Sequence, residues 1–445
     1  MPAHAVVLGA GMAGLLAARV LSETFDHVTV LDRDTLRASA EPRRGVPQGP
    51  FPHALLPRGR RILDDLFPDL VDGLLRDGAI EGPVERFRFL LAGIRFARFS
   101  EGGSLLCSRP LLETHVRAAV RTLPTVTIVD RCTVLGLLAE HGRVTGVRTD
   151  PGPAVAADLV VDASGRTSRA DVWLRELGFA VPPQDSVRVE VAYTCGRFRL
   201  RDDGLDGDEV VLVSGVPGNS RSGAVFPVEG GDHLVSLGGT FGDHAPTELD
   251  GFHRFAATLP FPDIADALAG AEPREPLRTM RFTENRRRRP DTVDGPPGLL
   301  LLGDALCSVN PVYGQGMTMA ALQAEELRRV LARDTDPQPR RTHRRLLRAT
   351  AVGWDNAIGA DSTDPRVEVD RGRAAVLVGR WVARVQRAAG VDPHVARTFF
   401  QVTGLVDPPQ TLLRPGFVVR VLRATRRGAA PEPAAPPAVR AQSRA

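Results

Sequence analysis

No lysine occurs in the 445 residues, so all 57 basic side chains are arginines that stay charged across the physiological range. Chemistry in which a lysine acts as base, nucleophile or Schiff-base former is thereby excluded. Cysteine is also scarce: Cys107, Cys132, Cys195 and Cys307 stand far apart with no CxxC pair, which argues against a zinc ribbon or a redox dithiol and for buried thiols. No apolar run reaches the roughly 18 residues of a membrane span, and the chain enters an apolar strand at Ala5 without a basic leader. A soluble cytoplasmic protein with no integral membrane association is expected. Charge of either sign is hardly in excess, 57 cations against 53 anions for a net +4, so nucleic acid is not expected as a partner. Aromatic hydroxyls are few, 2 tyrosines against 18 phenylalanines, which suits an apolar binding surface. The isolated histidines His53, His115 and His233 are assigned no role.

With 43% hydrophobic residues over this length, the chain can bury a sizeable core and form two or more domains. Residues 5–8 are a short apolar run ending in glycine, 12–21 an Ala/Leu helix and 28–31 the next strand, a βαβ opening. Residues 38–58 hold too many prolines, arginines and glycines for a regular element and read as a long functional loop. A helix is expected over 111–120, strands at 126–129 and 144–147, and a buried strand at 159–161 running into Asp162. Between 186 and 283 apolar residues alternate, with Val187, Val189, Val191 and Tyr193 on one face, as in an antiparallel sheet. The run 299–302 is continuous, as a strand covered on both faces should be, and a long helix follows Gly316. Arginine-rich helical segments occupy 342–425, and the Pro/Ala-rich stretch 428–445 reads as a disordered tail.

The first chemical motif is Gly9, Ala10, Gly11, Met12, Ala13 and Gly14, directly after a strand and opening a helix, with Asp32 at the end of the second strand. Gly9 permits a tight turn, Gly11 lets the backbone approach a pyrophosphate at the helix N-terminus, Gly14 lets helix and strand pack closely, and Asp32 can accept from a ribose hydroxyl. Both FAD and NAD use such a fingerprint. A later motif separates them. The 299–302 run leads into Gly303, Asp304 and Ala305, then Asn310 to Met317 and a helix, placing an acid at a strand end and backbone amides at a helix N-terminus.

That combination resembles the FAD-dependent monooxygenases of the p-hydroxybenzoate hydroxylase fold. The resemblance implies an α/β fold: a Rossmann-like FAD-binding domain of the glutathione-reductase type, an inserted antiparallel-sheet substrate domain and a C-terminal helical region. It divides the chain into FAD-binding segments at 1–85, 105–170 and 290–335, substrate-domain segments at 86–104 and 171–289, the helical region 336–427 and the tail 428–445. By resemblance, Asp304 would bind the ribityl hydroxyls, and Gly314, Gln315 and Gly316 would present backbone N–H groups to the flavin N1/C2 edge, with Gly303, Met317, Pro311 and Tyr313 around them. Arg109 would reach the FAD phosphates. Asp162 stands for the family's middle motif, with Ala163 and Ser164 where a glycine is common, and Arg44, Arg33 and Val134 complete the cofactor-binding set. Within the group, the Arg43 to Gly49, Phe226 to Gly231 and Asn310 to Met317 segments look most like the bacterial polyene epoxidases of polyether biosynthesis.

The activity so implied is insertion of one oxygen atom from O2, through a flavin C4a-hydroperoxide, into an apolar substrate. Epoxidation of an alkene in a polyketide or terpenoid is the leading expectation, with Pro311, Tyr313, Gly314 and Gln315 closest to the chemistry. Aromatic hydroxylation is one alternative, and reduction of an isoprenoid double bond in the manner of geranylgeranyl reductases another. Electrons would come from NAD(P)H or a flavin reductase partner, and the substrate would be free or carrier-bound. Flavin halogenases share the FAD motifs but relay through a lysine, which this chain does not have. A flavin-binding protein without turnover and an arginine-rich nucleic-acid binder are disfavoured by the intact motifs and balanced charge.

Overall fold

The computed structural model describes residues 3–53, 55–370 and 372–427; the expected disordered tail 428–445 lies outside the described residues. Its first layer is a five-stranded parallel sheet in the order Leu299–Leu301, Leu159–Asp162, His4–Leu8, His27–Leu31, Val126–Val129. These are the short β-branched and leucine runs of the sequence, and side chains leave them alternately on the two faces. Val7, Val30 and Val161 pack with the helices Met12–Leu21, Arg109–Arg121 and Gly316–Leu331, whereas Val6, Val160 and Leu299 pack against the three-stranded sheet that contains Thr133–Glu140 and Arg143–Asp150. Each such side chain contributes about 1.5–3 kcal/mol by leaving water. Coverage on both faces is why the runs are continuously apolar rather than half polar.

The alternating region forms the second layer. Gln184–Arg199, 16 residues long, pairs antiparallel with Asp232–Thr240 on one side and Arg278–Arg288 on the other. The pairing with Arg278–Arg288 shifts register between Arg188 and Val191, an irregularity in the ladder. One pairing departs from the antiparallel expectation: Val210–Val213 runs parallel to Phe87–Leu91, a strand from a much earlier part of the chain. Period-two patterning reports only which face a residue occupies, so it could not reveal that direction.

The C-terminal helices cover both layers. His343 of the Pro339–Ala349 helix accepts the Leu301 amide through Nε2 at 2.9 Å, which ties that helix to the parallel sheet. Arg373–Ala389, Pro393–Thr403 and Pro415–Arg427 pack instead on the second layer, burying Val385, Ala396, Phe399 and Val421 against Phe87, Phe96 and Val210. No helix among the described residues is long and apolar enough to cross a membrane.

Candidate active site

Three turns leave the parallel sheet side by side, because Leu8 is in register with Asp162 and Leu31, and Asp162 with Leu301. That is the carboxyl edge of an open α/β sheet, where such folds bind ligands. Gly9 adopts φ +95°, and a Cβ there would lie 2.8 Å from the Ala163 carbonyl oxygen. A Cβ on Gly14 would lie 1.8 Å from the Gly9 carbonyl oxygen. Only bare backbone allows these turns to stack. Gly11, Met12 and Ala13 then face a cavity of about 3720 Å³ that the Gly303 turn also lines.

Asp32 is buried at the end of the second strand and already has several donors: the Ala10 amide on Oδ2 at 2.7 Å, the Asp34 amide on Oδ1 at 2.8 Å, and Arg43. A carboxylate has about four acceptor sites, so the ribose role expected of Asp32 is shared with the task of fixing the glycine turn. Arg43 holds a fork of three acids, Glu113 at 2.7 Å, Asp34 at 2.9 Å and Asp32 at 3.2 Å. Burial works against its charge, but Glu113 and Asp32 outweigh it and hold the guanidinium pKa above its ordinary value. Arg44, the arginine singled out from the sequence, is exposed and forms no hydrogen bond among the described residues, although it and Arg33 line the cavity. Two adjacent arginines look alike in sequence, and only the acids contributed by Asp34 and Glu113 tell them apart.

Arg109 begins a helix whose N-cap, Ser108, accepts the Leu111 amide at 3.2 Å. Its Nη2 reaches Glu113 at 3.2 Å, while its Nε is buried with no partner and its side chain lines the cavity. His53 faces the same space, and burial together with the Arg109 charge drives its pKa down to about 3. Its Nδ1 lies 2.8 Å from the Phe51 carbonyl, so the neutral ring donates there and presents Nε2 elsewhere. Val134 also lines the cavity. Asp162 does not, which corrects its assignment as a cofactor ligand. It is fully buried, with Oδ1 accepting the Ser164 amide at 2.9 Å and Oδ2 the Ser168 hydroxyl at 2.6 Å. Its carboxylate organises the middle turn from inside.

At the third turn Asp304 lines the cavity and makes no hydrogen bond among the described residues. Burial raises its pKa, and the nearby charges of Arg166, Arg109 and Arg286 only partly offset this. Beyond it, Asn310 caps the Pro311–Tyr313 turn and Gly314 takes φ +63° before the Gly316–Leu331 helix begins. The Gly314 amide donates to the Pro311 carbonyl at 2.9 Å, so it is not free to meet a ligand as the resemblance implied. The Gln315 carbonyl accepts Met319 N at 2.8 Å, leaving the first-turn amides of Gly316 and Met317 without a helical partner. Gln315 itself is buried with Oε1 unpaired, and Pro311 is exposed on the cavity rim.

A polar cluster that the sequence reading missed supports this loop. The Tyr313 hydroxyl donates to Asp361 Oδ1 at 2.7 Å, Asn310 Nδ2 donates to the same oxygen at 2.8 Å, and Asn285 Nδ2 donates to Oδ2 at 2.7 Å. The Tyr193 hydroxyl donates to Asn310 Oδ1. Both tyrosines of the chain therefore meet in one network. Burial raises the pKa of Asp361, partly countered by the hydrogen bonds from Tyr313, Asn285 and Asn310.

Residues 3–338 match the family described as FAD binding domain. The chain belongs to that family. Protein Rv3254 of Mycobacterium tuberculosis is 34% identical over 426 residues, 91% of this chain and 90% of that one. The 6-methylpretetramide 4-monooxygenase of Streptomyces rimosus is 27% identical over 401 residues, 86% and 87% of the two chains. Among solved structures, the flavin-dependent brominase Bmp2 superposes with a TM-score of 0.67 at 14% identity, covering 96% of this chain and 100% of that one, which is a likeness of fold. The protein is an FAD-dependent monooxygenase, using O2 and electrons from NAD(P)H or a reductase.

The residues present fit FAD. An unpartnered carboxylate at Asp304 suits polyol hydroxyls, the orphaned Nε of buried Arg109 suits a phosphate oxygen, and the Gly11 helix N-terminus suits a second one. From the flavin-side turns the cavity extends along the second layer, past Phe87, Phe89, Leu212 and Phe226, to Phe400 and Leu412 of the C-terminal region. The same lining also carries polar side chains of the second-layer region, among them Arg221, Ser222 and Asp243.

Proposed function

We propose that this FAD-dependent monooxygenase transfers one oxygen atom from O2 to an apolar substrate, and that the reaction is epoxidation of an alkene in a polyketide or terpenoid. The observation that carries this reading is the lining of the cavity: Asp304, Arg109 and the glycine turns line it together with an apolar wall of Phe87, Phe89, Leu212, Phe226, Phe400 and Leu412. Bound FAD supplies the activation of dioxygen once it has been reduced. The chain supplies the rest. Asp304 would hold the ribityl chain as an acceptor, Arg109 would neutralise phosphate, and the Gly316 and Met317 amides would stabilise the negative charge that the flavin gains on reduction. The apolar wall excludes water and aligns an acceptor carbon, which needs no side-chain base if the acceptor is an alkene.

A second reading, hydroxylation of an aromatic ring, is favoured by the Tyr193–Asn310–Asp361–Tyr313 network at the cavity wall, which could hold a phenolic proton, and by the name of the Streptomyces rimosus relative. Turnover under 18O2 with a polyene and with a polycyclic phenol, supplied free or on a carrier thioester, separates the two. Labelled epoxide from the polyene is expected. Labelled catechol from the phenol alone would select the second reading, and a saturated product without label would sink both in favour of a reductase.

A further inference from the structure

We propose that Asp361 is a positioning residue for the cofactor loop 310–316, the carboxylate through which the C-terminal region sets where that loop stands. Asp361 ends the Ala351–Asp361 helix, beyond residue 338 where the family match stops. It is 8% exposed, and no arginine pairs with it among the described residues in a chain with 57 cations. A buried carboxylate with no counter-ion is retained for its acceptor geometry. Its three donors come from two separate places: Asn310 and Tyr313 in the loop, and Asn285 on the Arg278–Arg288 strand.

Those partners reach the loop backbone as well. Asn285 Oδ1 accepts the Asn310 amide at 2.6 Å, and Asn310 Oδ1 accepts the Val312 amide at 3.2 Å. Which way each side-chain amide points is decided by Asp361, because an acceptor there forces both nitrogens toward it and both oxygens toward the backbone. An asparagine at 361 would offer one acceptor to three donors and turn its own N–H2 against at least one of them. The segment that delivers Gly314 to Gly316 would then lose its fixed orientation. The inference rests on the placement of flavin against Gly316 and Met317 proposed above.

The test uses the full chain and three readouts: the dissociation constant of FAD measured by fluorescence titration of apoprotein, the midpoint potential of bound FAD, and the thermal midpoint. Asp361→Asn is expected to weaken FAD binding about tenfold, one mispaired charged hydrogen bond's worth, and to make the potential more negative, because misaimed amides no longer stabilise the anionic reduced ring. Tyr313→Phe, which alters no charge and carries the test if Asp361→Asn does not fold, should move both quantities in the same direction by less. The double variant should be no worse than Asp361→Asn alone. A lower thermal midpoint with affinity and potential unchanged would overturn the proposal in favour of simple packing. A less negative potential in Asp361→Asn with Tyr313→Phe unaltered would overturn it in favour of a direct charge effect. Gly316→Val separates the two levels: if it changes the potential and the Asp361 variant does not, only this inference fails, and if neither does, the flavin placement fails with it.

Discussion

Arg43 Nη1 lies 3.2 Å from Asp32 Oδ2, the same oxygen that accepts the Ala10 amide at 2.7 Å, so the loop carrying Arg43 and the glycine turn are joined through one carboxylate. Glu113 and Asp34 complete the site. Removing the guanidinium leaves three acids facing one another with little water. Arg43→Met is therefore expected to lower stability by about 3 kcal/mol, the usual cost of breaking a buried ion pair from one side. Arg43→Lys should recover only part of this, since one ammonium cannot reach three carboxylates in a fork. Urea unfolding of the apoprotein measures both.

Gly14 faces the Gly9 carbonyl so closely that a Cβ would sit 1.8 Å from the oxygen. Gly14→Val should force the Met12–Leu21 helix off the sheet and yield protein that purifies without bound flavin, and added FAD should not restore its absorbance. A yellow Gly14→Val protein with native affinity would contradict the packing argument.

Asp304 gives an effect of opposite sign in the two states. Without cofactor its carboxylate is partly buried and unpartnered, with a raised pKa, so the folded apoprotein holds its proton more tightly than the unfolded chain does. Apoprotein stability should then fall as pH rises out of the ordinary carboxylate range, and Asp304→Asn should flatten that slope and raise the apoprotein melting temperature near neutral pH. The same substitution should weaken FAD binding about tenfold through loss of a charged acceptor for the ribityl hydroxyls. Calorimetry and flavin titration of one pair of proteins check both signs.

His343 accepts the Leu301 amide as a neutral ring, and burial lowers its pKa from 6.5 to about 4. In the unfolded chain the imidazole takes up a proton at higher pH than in the fold, so stability is present above about 6.5 and is lost as pH falls toward 4. At pH 5 this linkage removes about 2 kcal/mol. His343→Gln, whose amide oxygen can accept the same N–H, should lose less stability between pH 7 and pH 5 than the parent. An identical pH dependence of the two unfolding curves would refute it.

The parts legible in the sequence were those encoded locally. The Ala5 to Leu8 run, the glycine spacing, the Asp304 strand end and the alternation of Val187, Val189, Val191 and Tyr193 each declare an element through a period or a turn, and each lies in the expected strand or turn. What the sequence hid was set by partners far away along the chain. Asp361 has no local signal, because its meaning comes from Asn285 and Tyr313 on other elements. Asp162 was legible as a strand-end acid, but its direction into the turn depends on Ser164 and Ser168 closing over it. The choice between Arg43 and Arg44 likewise waits on Glu113.

The position of Leu299–Leu301 at one edge of the parallel sheet has a consequence for assembly. That strand pairs with Leu159–Asp162, yet most of the second layer, from Gln184 to Arg288, is synthesised between them. A growing chain can form the first βαβ unit early, but it keeps the flank of Leu159–Asp162 unpaired until residue 301 has emerged, and the Gly316–Leu331 helix comes later still. Long-range parallel pairing of this kind is slow, and an open strand flank invites the wrong neighbour. The nascent protein thus passes through a stage in which its nucleotide turn exists but its last wall does not. Supplying FAD during refolding should rescue yield only when added before that edge closes.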